Sequence, residues 1–253
     1  MHETFLLGRS AVVTGATRGI GFAIARALAE AGATVAICGR SQEGVDQAVR
    51  LLTNESKCKV VGKVADVRAS TSVGQFFEWV DRETGGPDIL VNNAGLGIMK
   101  STADLTVEDW LRTIETNLSG AFYCSRQALA RMKNRQGGYI VNIGSLAGKN
   151  AFAGGGAYNA SKFGLSGFTE AMMMDHRYDN VRVTHIMPGS VDTEFSSSKF
   201  SSSKLSGSKS GGSAGADWKI APEDIGEIVL MLLRMPERTL VSQVEVRPAK
   251  PRK

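Results

Sequence analysis

Short apolar runs alternate with longer amphipathic segments along most of the chain. The runs are rich in Val and Ile, are four to seven residues long, and lie at 11–14, 34–38, 59–64, 88–91, 139–143, 181–187 and 243–246. The segments between them have apolar residues at helical spacing and cover 20–31, 42–53, 72–83, 107–133, 157–177 and 222–235. Strands that alternate with helices predict a mostly parallel sheet with helices on both faces, wound by right-handed crossovers.

The composition fits one α/β domain. Hydrophobic residues make up 42% and charged residues 22% of the 253 residues, and no composition break marks a second domain. We therefore expect a single domain over residues 1–253. The net charge of +5 is concentrated only in the tail at Lys250, Arg252 and Lys253. A charge this modest argues against a nucleic-acid partner.

The cysteines and the apolar stretches predict where the protein works. Cys38, Cys58 and Cys124 have neither disulfide-like nor metal-ligand spacing, so we expect a reducing compartment and no metal site. The N-terminus has an acidic residue and only a very short apolar run, unlike a signal peptide. No stretch approaches the roughly 20 apolar residues of a membrane span. These features predict a cytoplasmic protein without a membrane partner.

Two segments are unusual for such a fold. Between 107 and 133 an apolar helix face that includes Val107, Trp110 and Leu111 is joined by a second face of small residues. A helix that is apolar on more than one side is deeply buried or meets another subunit, so we expect a homo-oligomer. The Ser-, Gly- and Lys-rich stretch 196–215 is too polar for a core. We expect a flexible loop at about 194–217, either a lid over a ligand or a disordered segment.

The first strand leads through a glycine-rich turn, Thr14-Gly-Ala-Thr-Arg-Gly-Ile-Gly21, directly into a helix. Glycines let such a turn bend sharply and approach a ligand, and the helix N-terminus offers unpaired N–H groups to a pyrophosphate. A turn of this kind can also be only a tight loop. Its position between the first strand and the first helix favours a dinucleotide site.

The end of the second strand predicts which dinucleotide binds. A carboxylate there accepts hydrogen bonds from the ribose of NAD, whereas an arginine accommodates the 2′-phosphate of NADP. The second strand ends Cys38-Gly-Arg40, without an acid, and Arg18 lies in the glycine-rich turn. Unless both arginines only face solvent, they favour NADP(H).

Tyr158 and Lys162 are four residues apart in a predicted helix, so their side chains share one face. A cation beside a phenol favours the phenolate, so we expect Lys162 to lower the pKa of Tyr158 and make it an acid/base catalyst. Ser145 follows the fifth strand, where its hydroxyl could hydrogen-bond a substrate carbonyl oxygen. Either motif alone also fits ordinary surface or turn residues.

The motifs TGATRGIG, NNAG, YNASK and PGSVDT, together with Asn117 and Ser145, resemble in order and spacing the short-chain dehydrogenase/reductase family. The resemblance runs from about Arg9 to Val246. Within the family, the chain resembles members that are similar to 3-oxoacyl-carrier-protein reductases. It implies a single Rossmann-like doubly wound domain with a seven-stranded parallel sheet, assembled as dimers or tetramers.

The resemblance also implies roles for individual residues. Tyr158 would be the general acid, Lys162 would hold the nicotinamide ribose, Ser145 would orient the carbonyl, and Asn117 would hold a water linked to Lys162. Asp66 and Val67 would meet adenine. The implied NADP(H)-binding residues are Gly15, Thr17, Arg18, Gly19, Ile20, Gly21, Arg40, Asp66, Val67, Asn93, Ala94, Gly95, Tyr158, Lys162, Pro188, Gly189, Val191 and Thr193.

These features predict an NADPH-dependent reductase that interconverts a small-molecule carbonyl substrate and its alcohol. A narrower alternative is 3-oxoacyl-carrier-protein reduction, in which Arg131, Lys133 and Arg135 would meet an acidic carrier. An alternative of another class is a non-catalytic dinucleotide sensor or scaffold. The last strand ends Val244-Glu-Val-Arg-Pro-Ala-Lys250 where many family members have a glycine pair. The sequence does not identify the substrate.

Overall fold

A seven-stranded sheet forms the centre of the part of the chain that the computed structural model describes, residues 4–56, 58–135, 137–193 and 218–251. Every paired strand is parallel to its neighbour, and the order is β3-β2-β1-β4-β5-β6-β7. The strands are β1 Ser10–Thr14, β2 Thr34–Gly39, β3 Val60–Val64, β4 Ile89–Asn92, β5 Gly138–Ile143, β6 Val181–Pro188 and β7 Gln243–Val246.

Helices cover both faces of the sheet. They are α1 Gly19–Glu30, α2 Gln42–Ser56, α3 Ser70–Thr84, α4 Val107–Ile114, α5 Gly120–Asn134, α6 Gly156–His176 and α7 Pro222–Arg234. One core cluster joins the sheet to α1, α2 and α7 through residues such as Leu28, Leu52 and Val229. A second cluster joins the other face to α3, α5 and α6 and includes Phe76 and Met172. The predicted doubly wound fold is confirmed.

The central strands β1, β2 and β4 are largely apolar because both of their faces are buried. In β1, Val12 packs into one core cluster and Val13 into the other, and both side chains are 0% exposed. Successive side chains of a strand point to opposite faces, so a strand covered on both sides needs an apolar residue at nearly every position.

The order of the strands creates a crevice at one edge of the sheet. β1 pairs with β2 on one side and with β4 on the other, so the chain winds outward in both directions from this point. Open α/β sheets bind ligands outside the carboxyl ends of the strands at such a switch point. Both glycine-containing motifs, after β1 and after β4, therefore reach the same place.

The segment 107–133 differs from the single helix predicted for it. A π-helical turn, Glu115–Ser119, separates α4 from α5 and contains Asn117. π-Turns inside helices are frequent at functional sites because their extra residue turns a side chain away from the regular helix face. At the start of α5, a Cβ on Gly120 would lie 2.9 Å from Val67, so this glycine lets the helix pass close to the end of β3.

The segment predicted as a flexible Ser-rich loop, 194–217, lies outside the described residues. The residues that flank it are joined to each other. Val191 and Ile220 form an isolated parallel bridge, with hydrogen bonds from Asp192 N to Ile220 O and from Ile220 N to Ser190 O. Within the described ranges, no helix is long and apolar enough to cross a membrane.

Candidate active site

A cleft of about 1360 Å³ opens along the carboxyl edge of the sheet. It is lined by residues from the ends of six strands, and these include most of the predicted site. The predicted residues along it are Gly15, Thr17, Arg18, Gly19, Ile20, Arg40, Asp66, Val67, Asn93, Ala94, Gly95, Ser145, Tyr158, Lys162, Pro188, Gly189, Val191 and Thr193. Gly21 and Asn117 are not part of this lining, for two different reasons.

The glycine-rich turn is shaped by backbone conformation and close packing. Gly15 and Gly19 have φ values of +63° and +59°, which favour glycine, and a Cβ on Gly15 would lie 2.8 Å from Ala94 Cα. Gly21 lies behind the turn, where a Cβ would be 2.3 Å from Asn93 Nδ2 and 2.6 Å from Gly15 O. Gly21 was predicted to bind the cofactor. In the structure it allows α1 to pack against the loop after β4, and its cofactor contact stays a prediction.

Hydrogen bonds join this turn to the Asn-Asn-Ala-Gly motif, and the sequence analysis did not predict them. Thr14 Oγ1 accepts hydrogen bonds from Asn93 N at 3.0 Å and Ala94 N at 3.1 Å. Asn93 Nδ2 in turn donates to the carbonyl oxygens of Thr14 and Gly15, both at 3.0 Å. The two loops therefore form one rigid floor. A polar residue at the carboxyl end of the apolar run 11–14 was the signal that could have identified Thr14.

Ser145, Tyr158 and Lys162 lie close together at one end of the cleft. Ser145 follows β5 and accepts a hydrogen bond from Ala147 N at 3.1 Å, which fixes the start of its loop. Its hydroxyl is hydrogen-bonded to the phenol of Tyr158. Lys162 donates from Nζ to Ile143 O at 2.9 Å, and its Nζ lies 5.9 Å from the centre of the Tyr158 ring. The predicted proximity of the three side chains is present in the structure.

The ionisation of this group differs from the expectation. Burial raises the pKa of Tyr158 above its ordinary value, and the hydrogen bond with Ser145 only partly offsets this. Burial also lowers the pKa of Lys162 to about 8. The Tyr158 pKa is therefore raised and not lowered as expected, because loss of hydration disfavours both charged forms. A phenol that keeps its proton at neutral pH suits a proton donor.

Asn117 ties the π-turn to the catalytic helix from beneath the cleft. Its Oδ1 accepts from Leu96 N at 2.8 Å, and its Nδ2 donates to Leu96 O at 2.8 Å and to Ser161 Oγ at 2.9 Å. Ser161 Oγ donates to Tyr158 O at 2.7 Å. The amide is thus satisfied by protein groups and fixes the loop after β4 relative to α6. Its predicted water-holding role remains a prediction.

Asn159, the second residue of the YNASK motif, was also missed. Its Nδ2 donates to Ala147 O at 2.7 Å and to Asn150 O at 3.3 Å, and its Oδ1 accepts from Phe152 N at 3.3 Å. The buried amide therefore holds the loop between Ser145 and α6 in place. Phe152 lines the cleft from this loop, and Leu96 lines it from the loop after β4. These apolar side chains extend the cleft beyond the catalytic group.

A buried histidine lies behind the catalytic loop. His185 on β6 is 1% exposed, and neither of its ring nitrogens has a hydrogen-bond partner among the described residues. A Cβ on Gly144 would lie 2.0 Å from its Nε2, so the ring occupies the space beside the residue that precedes Ser145. Burial, together with the charges of Lys162 and Lys149, lowers the pKa of His185 to about 4. The imidazole is therefore neutral at pH 7.

The far end of the cleft is charged and more open. Arg18 and Arg40 are exposed and line the cleft together with Asp66. A Cβ on Gly39 would lie 2.5 Å from Thr17 Cγ2, so this glycine lets the end of β2 approach the glycine-rich turn. The turn, the N-terminus of α1 and two guanidinium groups together fit a dinucleotide that carries phosphate groups.

The short chain dehydrogenase family model matches residues 9–204 of this chain. The chain belongs to the short-chain dehydrogenase family. Among curated relatives of this short-chain dehydrogenase, an uncharacterized oxidoreductase from Staphylococcus saprophyticus is 33% identical over 243 residues, 96% of this chain and 98% of the relative.

Two solved structures of the same architecture carry related cofactors. An alcohol dehydrogenase from the archaeon Thermococcus sibiricus, complexed with 5-hydroxy-NADP, has a TM-score of 0.85 and 31% identity over 97% of this chain and 98% of that one. A single-residue variant of actinorhodin polyketide ketoreductase, with NADPH, has a TM-score of 0.85 and 30% identity over 95% and 96% of the two chains. This short-chain dehydrogenase is thus an oxidoreductase related to proteins that act on alcohols or ketones.

Proposed function

We propose that this short-chain dehydrogenase is an NADPH-dependent carbonyl reductase that also oxidises the product alcohol in the reverse direction. The observation that supports this most strongly is the meeting of Ser145, Tyr158 and Lys162 in the cleft that the glycine-rich turn also lines. Hydride transfer to a carbonyl carbon requires a proton for the oxygen at the same place. A buried, protonated phenol beside a serine hydroxyl supplies that proton.

Each side chain has a distinct part in the proposed reaction. NADPH, when bound, supplies the hydride to the carbonyl carbon. Ser145 donates a hydrogen bond to the carbonyl oxygen and orients it, and Tyr158 gives its phenolic proton to that oxygen as negative charge develops. Lys162 would hold the nicotinamide ribose, and its ammonium charge would stabilise the phenolate that remains. Asn117 keeps α6 and the loop after β4 in register through its bonds to Leu96 and Ser161.

The charged end of the cleft supports NADP(H) over NAD(H). β2 ends at Gly39 and is followed by Arg40, so an arginine stands where a carboxylate would contact the ribose of NAD. Arg18 adds a second cation on the same cleft. The Thermococcus sibiricus enzyme and the actinorhodin ketoreductase were solved with 5-hydroxy-NADP and NADPH, which agrees with this choice.

Reduction of a carrier-linked 3-oxoacyl group is less well supported by the surface that was considered for it. Arg131 binds Asp81 through Nε and Nη2 at 2.7 to 2.9 Å, and Arg135 binds Asp88 at 2.9 Å. Both arginines are thus committed to contacts within the chain. A non-catalytic sensor is also less economical, because a sensor has no need for a serine hydroxyl hydrogen-bonded to a buried phenol.

We also propose that the enzyme is a cytoplasmic homo-oligomer. Helices α4, α5 and α6 expose large apolar side chains, and a second copy of the chain would cover them. The residues are Val107, Trp110, Leu111, Phe122, Phe163 and Met174, which are 40–75% exposed. Analytical ultracentrifugation of the wild type and of Phe122→Glu tests this. We expect a dimer or tetramer that dissociates in the variant, and a wild-type monomer would contradict the proposal.

The proposed activity is tested with a panel of aldehydes, simple ketones and 3-oxoacyl esters, each assayed with NADPH and with NADH. We expect oxidation of NADPH that depends on at least one carbonyl compound, with a higher kcat/KM for NADPH than for NADH. A carrier-linked 3-oxoacyl substrate tests the narrower alternative, which requires turnover of that substrate and none of free ketones. NADPH binding by calorimetry without turnover on the whole panel would favour the sensor instead.

A further inference from the structure

Asp66 lines the same cleft as Arg18 and Arg40, and Arg68, two residues further along the chain, binds its carboxylate. Arg68 Nε lies 3.0 Å from both carboxylate oxygens of Asp66, and its Nη2 lies 2.5 Å from Oδ2. The backbone N–H of Arg68 also donates to Oδ1 at 3.0 Å. Arg68 itself is not among the described residues that line the cleft. The pair therefore fixes both the position and the charge of Asp66 without occupying ligand space.

A free carboxylate at this place would oppose the binding of a phosphate. Asp66 is close enough to Arg40 for the guanidinium charge to lower the pKa of Asp66, although the hydrogen bond from Arg68 is the largest cause of that lowering. Asp66 is thus ionised at neutral pH. Its negative charge would repel an incoming phosphate and would compete with it for Arg40.

Arg68 is also linked by its charge to the catalytic side of the molecule. Glu115, in the π-turn that contains Asn117, raises the pKa of Arg68 through its charge. The group formed by Arg40, Asp66, Arg68 and Glu115 holds two positive and two negative side chains. Without Arg68, Arg40 would be left with two carboxylates, Asp66 and Glu115, of which Asp66 lines the cleft.

We propose that Arg68 is a positioning residue for cofactor selection: it neutralises and orients Asp66, so that Arg40 binds the 2′-phosphate of NADP(H) and not the carboxylate. This inference rests on the proposed use of NADP(H). The ligand chemistry is a phosphate monoester on a ribose, and Arg68 acts on it through Asp66. Loss of Arg68 then weakens the binding of NADPH more than the binding of NADH, because NADH has a hydroxyl in place of that phosphate.

The test is a double-mutant cycle with Arg68→Gln and Asp66→Asn. We expect Arg68→Gln to lower the ratio of kcat/KM for NADPH to that for NADH about 10-fold at low salt, and added salt to reduce this change. In the Asp66→Asn background, the same change is expected to leave the ratio within about 2-fold, since no carboxylate remains to be neutralised. Arg68→Lys keeps the charge and is expected to retain most of the ratio.

Arg131→Gln is the matched control, because Arg131 makes a similar two-nitrogen pair with Asp81 between α5 and α3, outside the residues that line the cleft. Its ratio of kcat/KM for NADPH to that for NADH is expected to equal that of the wild type.

An unchanged ratio in Arg68→Gln would overturn the inference, as would an equal fall with and without Asp66. If Arg68→Gln does not fold, the inference is overturned by a lower ratio in Asp66→Asn alone, or by a fall of about 10-fold in Arg68→Lys. The wild-type ratio separately tests the proposed use of NADP(H).

Discussion

The two ends of the cleft are built in different ways. At the catalytic end, Asn117, Tyr158, Ser161 and Lys162 are 0–8% exposed, and hydrogen bonds connect them to one another or to backbone carbonyl groups. At the other end, exposed arginines and a half-buried ion pair act mainly through charge. Buried polar groups are costly to disturb, whereas exposed charges are screened by water and salt. We therefore expect large effects of substitution at the first end and graded effects on cofactor choice at the second.

The largest expected effect is that of Tyr158→Phe. Removal of the hydroxyl removes the proposed proton donor while the ring still fills its site, so kcat is expected to fall about 10²- to 10⁴-fold. NADPH affinity measured by calorimetry is expected to change little. Turnover at the wild-type rate would remove Tyr158 from the proposed mechanism. It would also contradict the expectation that substitutions at the buried end of the cleft have the larger effects.

Low pH is expected to destabilise the fold through His185, which lies behind the catalytic end of the cleft. Its folded pKa of about 4 is below its ordinary value of about 6.5, so between these pH values the unfolded chain binds a proton that the folded chain does not. Stability is therefore lost as the pH falls from about 6.5 to 4, by up to about 3 kcal/mol. Urea unfolding of the wild type and of His185→Leu across this range measures the effect. Parallel curves would show that His185 is not its source.

The next expected effect is that of Asn117→Ala on stability. This change leaves the partly buried backbone groups of Leu96 without their amide partners and is expected to lower the free energy of unfolding by about 1–3 kcal/mol. It also loosens the link to Ser161, so kcat is expected to fall. Thermal unfolding and steady-state kinetics of the same preparation measure both. Normal stability with lower kcat would mean that the amide acts only in the reaction.

The smallest expected effect is at the charged end, where Arg40→Asp replaces a cation with an anion. The ratio of kcat/KM for NADPH to that for NADH is expected to fall about 10-fold or more, because the anion repels the 2′-phosphate and can accept from the ribose hydroxyl of NADH. The unfolding free energy is expected to stay within about 0.5 kcal/mol, as for most surface substitutions. A constant ratio would show that Arg40 does not contact the phosphate.

The sequence predicted the framework because the apolar pattern and the strand-end motifs are local signals. All seven strands were predicted to within two residues at each end, and β7 matches its predicted range of 243–246. The location of the glycine-rich turn, Asp66, Asn93 and Ser145 on one cleft followed from the same pattern, since the carboxyl ends of parallel strands meet at one edge. Tyr158 and Lys162 lie on a helix, and their place on this cleft was implied by the family resemblance.

What the sequence did not predict depends on contacts between distant residues. The π-turn at Glu115–Ser119 looks like ordinary helix in the sequence, and Asn117 binds Leu96 only because the fold brings the two loops together. The raised pKa of Tyr158 follows from burial, which local spacing does not report. The packing role of Gly21 likewise depends on Asn93, which is far away in the chain.

The bridge between Val191 and Ile220 brings the chain back to almost the point from which it departs. A segment whose entry and exit are joined can change in length or composition without pulling on the sheet, because its closure does not depend on its own residues. We therefore expect segments of other lengths and compositions to be exchangeable at 194–217 without loss of the sheet.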